Sequence, residues 1–350
     1  MATGRVISFA NFICKFGTKN LLDVADEIVI PAFLDCESFS SRRYGDTSYF
    51  FIQTQLINLG SPRKPTLALA GRFVKDTTLT REQIYDPNRG LIRTAGKLDS
   101  SPSALFVLLL NNHKVIYCPE TAHSPSLESF RSTAYWYIRQ QQNKFVKEEY
   151  ERRLTRRNDR LAAREDAGER VTKKQVWDDY PIPELEVMPI PSELSLSEFV
   201  KRYRQLSSMS LRVLQTNSEI DNRGLLRAVR NTGSKLGARN SVVTHTAGDR
   251  GEGLDKGEAI AQLRAVGLDG NVEVKLNGKD ASGNKLIGNN EEFKLRAHVD
   301  SVSHNVDDAA AQLNTVFLRE VDRNNLRLAN DADVDGTADK IRRIARARNV

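Results

Sequence analysis

Arginines grouped at helical spacing are the residues of this 350-residue chain that most clearly indicate a chemistry. Clustered arginine on helices is the electrostatic signature of proteins that bind polyanions. The first group comprises Arg152, Arg153, Arg156, Arg157, Arg160 and Arg164, the second Arg223, Arg227, Arg230, Lys235 and Arg239, and the third Arg342, Arg343, Arg346 and Arg348. The pattern predicts a phosphate-bearing partner more clearly than it predicts a reaction.

The second group is predicted to supply the primary nucleic-acid contacts. Arg223, Arg227 and Arg230 are spaced i, i+4, i+7 and share one face of a helix expected over residues 217–236. The last two members extend the charge into the glycine-containing stretch 233–237, where backbone N–H groups could also meet phosphates. The alternative is a solvated helix face that binds nothing.

Within the first group, Arg152, Arg153, Arg156 and Arg157 are secondary candidates for phosphate contact. This group is interleaved with acidic residues, namely Glu148, Glu149, Glu151, Asp159 and Glu165. Opposite charges four residues apart stabilise an exposed helix, so a connector held by salt bridges is the competing interpretation. The aromatic residues 135–137 upstream could stack on bases, but at helical spacing they are more often core residues.

Residues 331–339 resemble the opening of a calcium-binding loop. The twelfth position is Arg342, where such a loop needs a bidentate glutamate, and a cation there repels calcium. We therefore predict no metal site and expect Asp335 or Thr337 to cap the last helix.

No pattern of catalytic residues competes with the arginine groups. Cys118, with His113 and His123 nearby, ends an apolar strand, where a buried and inert thiol is expected. The glycines at 248, 251 and 253 lack the Lys-Ser/Thr that follows a phosphate-binding loop. The sequence therefore predicts no cofactor and favours a binding protein over an enzyme, although dispersed carboxylates of a metal-dependent nuclease would leave no pattern.

The elements expected to position these residues indicate an α+β fold of two domains. The N-terminal domain, 1–123, is predicted as a mainly antiparallel sheet with helices. A helix is expected at 21–29, ended or kinked by Pro31, and irregular chain at 76–103. The expected strands are 6–14, 49–57, 67–74, 105–110 and 114–118. Asn111-Asn112-His113 is typical of a hairpin turn.

A long helix and a charged linker are predicted over residues 124–183. Ser124-Pro125 is typical of a helix start, the helix is expected to reach Arg164, and the linker follows at 165–183. The C-terminal domain, 184–350, is predicted as a smaller α/β unit. Its expected strands are 185–190, 211–214, 241–244, 271–277 and 293–302, and a long Gly/Asn-rich hairpin loop separates the last two. Its expected helices are 196–203, 217–236, 255–266, 306–321 and 337–348.

The composition of the chain narrows the class of protein and its cellular location. The chain has a formal net charge of +7, is 39% hydrophobic and 28% charged, and contains three cysteines. The longest apolar run, 104–110, is far shorter than the roughly 20 residues that a membrane helix needs. The three widely spaced cysteines form no disulfide or zinc pattern. We therefore expect a cytoplasmic protein with no membrane insertion.

The segments 71–75 (GRFVK), 101–107 (SPSALFV) and 112–117 (NHKVIY), followed by Glu120, resemble the N-terminal half of prokaryotic and phage proteins of the Rex-type exclusion group and related abortive-infection proteins. This resemblance implies DNA binding without strong sequence preference, dimerisation, and a role in phage exclusion or antiviral defence. No catalytic residue of the family transfers to this chain.

Together these observations predict a nucleic-acid-binding protein, with DNA favoured, that acts as a homodimer and could work with a second protein of the same system. The binding should depend mostly on phosphate contacts and counterion release. The alternatives are a metal-dependent nuclease-type defence effector and a protein-interaction adaptor.

Overall fold

The computed structural model describes residues 4–166, 168–217, 224–238, 240–248, 251–266, 270–328 and 333–350. Its strands are β1 (Arg5–Phe16), β2 (Lys19–Asn20), β3 (Arg42–Tyr44), β4 (Thr47–Asn58), β5 (Leu67–Asp86), β6 (Gly90–Ser100), β7 (Ser103–Leu109), β8 (Lys114–Pro119), β9 (Glu184–Pro189), β10 (Tyr203–Val213), β11 (Ser241–Thr246), β12 (Val272–Asp280), β13 (Lys285–Asn289) and β14 (Arg296–Val299). Its α-helices are α1 (Ile30–Leu34), α2 (Leu127–Ala162), α3 (Lys173–Asp179), α4 (Glu193–Lys201), α5 (Gly224–Lys235), α6 (Lys256–Val266), α7 (Val306–Asp322) and α8 (Val334–Arg348).

These elements confirm the predicted α+β class, because the strands form two antiparallel sheets beside separate helices. The large sheet has the order β14-β1-β8-β7-β5-β4-β3, with β2 and β9 also paired to β1 and β6 paired to β5. The small sheet has the order β11-β10-β12-β13.

The large sheet is covered by helices on both faces. Alternate residues of β1 enter different cores: Phe12 packs in a cluster with α1, α2 and α8, whereas Phe9 packs in a cluster with α7. Because successive side chains of a strand point to opposite faces, a strand covered on both sides reads as a continuous apolar run. This explains why the sequence of β1 predicts a buried strand.

The chain after residue 184 contributes to both sheets. Strands β9 and β14 both pair with β1, and α7 and α8 cover the large sheet. The small sheet and its helices occupy residues 192–293 and have their own core. Entry and exit of this small-sheet unit lie side by side, since Pro191 pairs with Lys294 and the Ser192 N–H donates to the Phe293 carbonyl at 2.8 Å.

The expectation of irregular chain over 76–103 is wrong. Strand β5 continues past the sheet and pairs with β6, so residues 77–100 form a two-stranded ribbon with Leu79 opposite Leu98 and Tyr85 opposite Leu91. Its turn is closed by Asp86, whose Oδ1 accepts the N–H groups of Asn88 and Arg89 at 2.9 Å. No residue of the ribbon is buried, so it projects from the body of the molecule.

The start and end of several helices also differ from expectation. The helix expected at 21–29 is a 3-10 turn (Leu21–Asp23) followed by a π-helical turn (Ala25–Val29). The π-helical turn runs directly into α1, and Pro31 lies in the first turn of α1, so the proline marks a change of helix type rather than the end of a helix. Ser126, rather than Ser124, caps α2 by accepting the N–H of Ser129 at 3.1 Å. At the last helix, Asp333 rather than Asp335 or Thr337 is the cap and accepts the N–H of Gly336 at 3.0 Å.

Two segments expected to be irregular contain further elements. The linker 165–183 includes α3, whose start is fixed by a reciprocal capping box between Thr172 and Gln175. The Gly/Asn-rich loop after β12 includes β13. Among the described helices, none is both long and apolar enough to cross a membrane.

Candidate nucleic-acid interface

Helix α5 carries the described members of the second arginine group. Arg227 and Lys235 are exposed to solvent. Arg230 is half-buried, and its guanidinium donates to the Leu214 carbonyl at 2.8 Å and to the Asn271 carbonyl at 3.5 Å. Its charge therefore holds α5 against the small sheet. Arg223 and Arg239 lie outside the described residues.

The middle of α2 uses its arginines for internal salt bridges. Glu149 is buried and accepts from Arg152 at 2.5 Å and from Arg153 at 2.8 Å. Arg153 also binds Asp179 of α3 at 2.6 Å. Its hydrogen bonds to Glu149 and then Asp179 raise the pKa of Arg153, so this side chain stays charged and ties α3 to α2. These contacts are those of the competing interpretation, a connector held by salt bridges.

The C-terminal end of α2 presents arginines to solvent instead. Arg156, Arg160 and Arg164 are exposed, and within the described part of the chain they make no ion pair. Arg156 and Arg160 are about one turn apart on α2, roughly 6 Å along its axis. Arg164 follows the end of the helix and has a φ of +59°. Arg157 is half-buried. Carboxylates are present nearby, at Asp159 and Glu165.

The third arginine group lies on α8, the last helix of the chain. Arg348 binds Asp26 at 2.6 Å and so fastens α8 to the large-sheet unit. Arg342 and Arg346 line a shallow cavity of about 840 Å³ together with Arg63. Sequence reasoning missed Arg63, because it is a lone arginine distant in sequence from α8.

One cleft lies between the two sheets. This cleft of about 610 Å³ is lined by Lys15, Arg131 and Arg212 and also by Glu184 and Glu186. Its arginines are compensated, since Arg212 binds Glu186 and Glu273, and Arg131 binds Glu128. Burial alone would lower the pKa of Arg212, but these two carboxylates raise it. The cleft is therefore a poor site for a phosphate.

The aromatic residues upstream in α2 serve mainly as core. Tyr137 is buried and contacts Phe51, with ring centroids 5.4 Å apart, and Trp136 packs edge-on against Tyr137 at 4.8 Å. Tyr135 alone of the three is exposed, and it lines the 610 Å³ cleft. This favours the core interpretation over base stacking for the first two rings.

The cysteine and histidine residues near the β7–β8 hairpin form no nucleophilic site. Cys118 is buried, and burial raises the pKa of its thiol to about 11, so the reactive thiolate is disfavoured at neutral pH. His113 is buried in the turn with φ of +57°. Within the described residues, no three His, Cys, Asp or Glu side chains come together as a metal site.

Neither a protein-family model nor a curated protein matches this chain. What the chain binds must therefore be inferred from the charge and exposure of its own residues.

Proposed function

We propose that this chain is a cytoplasmic protein that binds nucleic acid, DNA in preference, largely through the phosphate backbone, and that it acts in phage exclusion or antiviral defence. The observation that carries the binding proposal is the exposed end of α2, where Arg156, Arg160 and Arg164 face solvent without an ion pair in the described part of the chain. The role in defence rests on the resemblance to exclusion proteins alone.

Exposed guanidinium groups that make no ion pair within the described residues are suited to phosphate contact. Each phosphate neutralised by such a group releases condensed counterions, which favours binding entropically and makes it depend on salt. Arg227 and Lys235 on α5 add exposed positive charge on the small-sheet unit. Arg152, Arg153 and Arg230 contribute less, because their donors are already engaged within the protein.

The proposal includes a homodimer, which would double the phosphate contacts and steepen the salt dependence, and a second protein of the same defence system. Sedimentation that shows only a 39.3 kDa monomer at micromolar concentration would argue against the homodimer.

The test compares two triple variants by fluorescence anisotropy with labelled duplex DNA, single-stranded DNA and RNA at 50–200 mM salt. Arg156→Ala/Arg160→Ala/Arg164→Ala should reduce the slope of log K against log salt by about two to three, because each lost phosphate contact removes about 0.9 from the slope. The matched control, Arg204→Ala/Arg296→Ala/Arg327→Ala, removes three exposed charges elsewhere and should change the slope by less than one.

Absence of wild-type binding at 50 mM salt would overturn the proposal and favour a protein-interaction adaptor. An equal loss in both triple variants would show that net charge, not the α2 surface, drives association. Cleavage of plasmid or RNA in the presence of magnesium or manganese would instead favour the nuclease-type effector.

A further inference from the structure

The ribbon formed by residues 77–100 has two chemically different faces. Directly opposed residues of an antiparallel pair lie on the same face, and residues two apart along a strand share that face. One face therefore carries Leu79 with Leu98 near the body and Tyr85 with Leu91 near the tip. All four of these side chains are among the exposed large hydrophobic residues of the molecule.

A β-bulge keeps Leu91 and Leu98 on one face. They are seven residues apart in β6, a separation that places side chains on opposite faces of a regular strand. The register shifts between Arg81 and Gln83, so that Gly96 and Arg93 face them with one extra residue in β6. Bulges of this kind reorient side chains and are retained as functional features.

The face that carries these apolar residues has positive charge and no carboxylate. Between its two apolar pairs lie Arg81, Gln83 and Arg93, all exposed, and Arg81 extends over Gly96, where a Cβ would lie 3.5 Å from its Nε. The acidic side chains of the two ribbon strands, Glu82, Asp86 and Asp99, occupy the opposite face by the same alternation.

We propose that this carboxylate-free face inserts into the major groove of duplex DNA. Arg81 and Arg93 would then donate to the N7 and O6 acceptors of guanine, Gln83 would bind adenine, and the leucines and Tyr85 would contact thymine methyl groups. The inference rests on the proposed function and extends it, since it adds base contacts to the phosphate contacts of α2.

The dimensions of the ribbon fit the major groove of duplex DNA rather than the minor groove. Two strands lie about 4.8 Å apart, and a two-stranded ribbon with its side chains fits a major groove about 12 Å wide but not a minor groove about 6 Å wide. The ten residues of β5 within the ribbon extend over about 34 Å, close to one turn of the duplex.

The absence of acidic groups favours DNA over a second copy of the chain as the occupant. If two ribbons packed through this face, four arginines would meet without a compensating carboxylate, and like charges in contact are unfavourable. Duplex DNA supplies the opposite charge and an apolar thymine surface in the same groove.

The test uses the full chain with anisotropy on duplex and single-stranded DNA of one sequence. Arg81→Ala/Arg93→Ala should weaken duplex binding at least about tenfold and leave single-strand binding within about twofold, because only the duplex has a major groove. The matched control, Arg89→Ala/Lys97→Ala, removes the same charge from the turn and the opposite face and should stay within about twofold on both probes. Unchanged thermal melting by circular dichroism would show that the variants are folded.

Methylation of guanine N7 in the duplex supplies a second readout. Methylation should weaken duplex binding by the wild type but not by Arg81→Ala/Arg93→Ala, since it blocks the acceptor that those arginines use.

If Arg81→Ala/Arg93→Ala binds duplex DNA as the wild type does while the α2 variant is impaired, the ribbon proposal fails and the proposed function stands. If the wild type binds no DNA, both fail. Conversion of a wild-type dimer to monomer by the ribbon-face variant, with DNA affinity unchanged, would make the occupant a second copy and overturn the proposal.

Discussion

Asn217 shows how a single side chain joins the two sheets. Strand β1 pairs with β8 over residues 8–11 and with β2 at residues 15–16, which leaves a gap between these neighbours. The Asn217 amide fills the gap, because it donates to the Phe12 carbonyl at 2.9 Å and accepts the Cys14 N–H at 3.0 Å. The Asn217 side chain therefore makes the two hydrogen bonds to β1 that a neighbouring strand would otherwise make.

We expect Asn217→Ala to lower the free energy of unfolding by about 1–3 kcal/mol, since it leaves two buried backbone groups of β1 without this partner. Urea unfolding at neutral pH would measure the loss. Asn231→Ala, which removes an exposed amide from α5, is the control and should change stability by less than about 0.5 kcal/mol. Equal stability of the two variants would contradict the role of Asn217.

The arginines show the limit of sequence reasoning at this scale. Spacing predicts that Arg227 shares one helix face with Arg223 and Arg230, because helical periodicity is set by the backbone. Spacing cannot reveal that Arg230 donates to the carbonyls of Leu214 and Asn271, which become neighbours only after the small sheet has formed.

At the scale of elements, α8 is attached by apolar packing and two ion pairs. Ile341 and Ile344 are buried in the core that contains α1 and α2. Lys340 binds Asp23 and Arg348 binds Asp26, each at 2.6 Å. The helix therefore connects the end of the sequence to the first turns after β1.

The Asp23–Lys340 pair should make the attachment of α8 sensitive to acid. Burial opposes ionisation of Asp23, but hydrogen bonds from Lys340 and from the Asn20 N–H lower its pKa below the ordinary value. A lowered folded-state pKa contributes stability above the unfolded pKa of about 3.9, and this contribution is lost as pH falls through the folded value.

We expect Asp23→Asn to be about 0.5–1 kcal/mol less stable than the wild type at pH 6–7, because the pair is partly exposed. This difference should shrink as pH falls below the unfolded pKa of about 3.9. Thermal or urea unfolding across pH 3–7 would measure the convergence. The control, Asp46→Asn in an exposed turn, should change stability by less than about 0.5 kcal/mol at neutral pH. A constant difference for Asp23→Asn between pH 3 and pH 7 would contradict the assignment.

The elements that sequence patterns predict well are those with continuous apolar runs, such as β1, β7 and β8. The ribbon was missed because no residue of it is buried, so its two strands show no apolar run to distinguish them from loop. Its strand character depends on pairing between β5 and β6, and pairing is not visible in either segment alone. The ribbon residues proposed above to enter the major groove were therefore also missed.

At the scale of the whole molecule, the small-sheet unit is an insertion between β9 and β14. Its two ends lie in adjacent backbone positions, joined by the Ser192–Phe293 hydrogen bond, and its core is separate from the two cores of the large sheet. Chain ends that lie this close are typical of inserted units that can be removed.

We expect a variant in which a short Gly-Asn turn replaces residues 193–292 to unfold cooperatively, at a lower temperature than the wild type because Asn217 is lost from β1. A variant ending at residue 183 should not unfold cooperatively, because it lacks β9, β14, α7 and α8. Differential scanning calorimetry would compare the two. A cooperative transition in the shorter variant alone would contradict this division of the chain.

The pairing of β1 with β14 has a consequence for synthesis on the ribosome. Strand β1 emerges first, but its residues 5–8 have no β14 partner until residues 296–299 have been synthesised. Only then does β1 have both β8 and β14 as neighbours. At about 5–20 residues per second, that delay is roughly 15–60 s. During this time β1 is an apolar segment with an unsatisfied edge, the kind of surface that chaperones bind and that aggregates form on. An interrupted translation product should therefore be cleared or precipitate rather than persist as a folded N-terminal fragment.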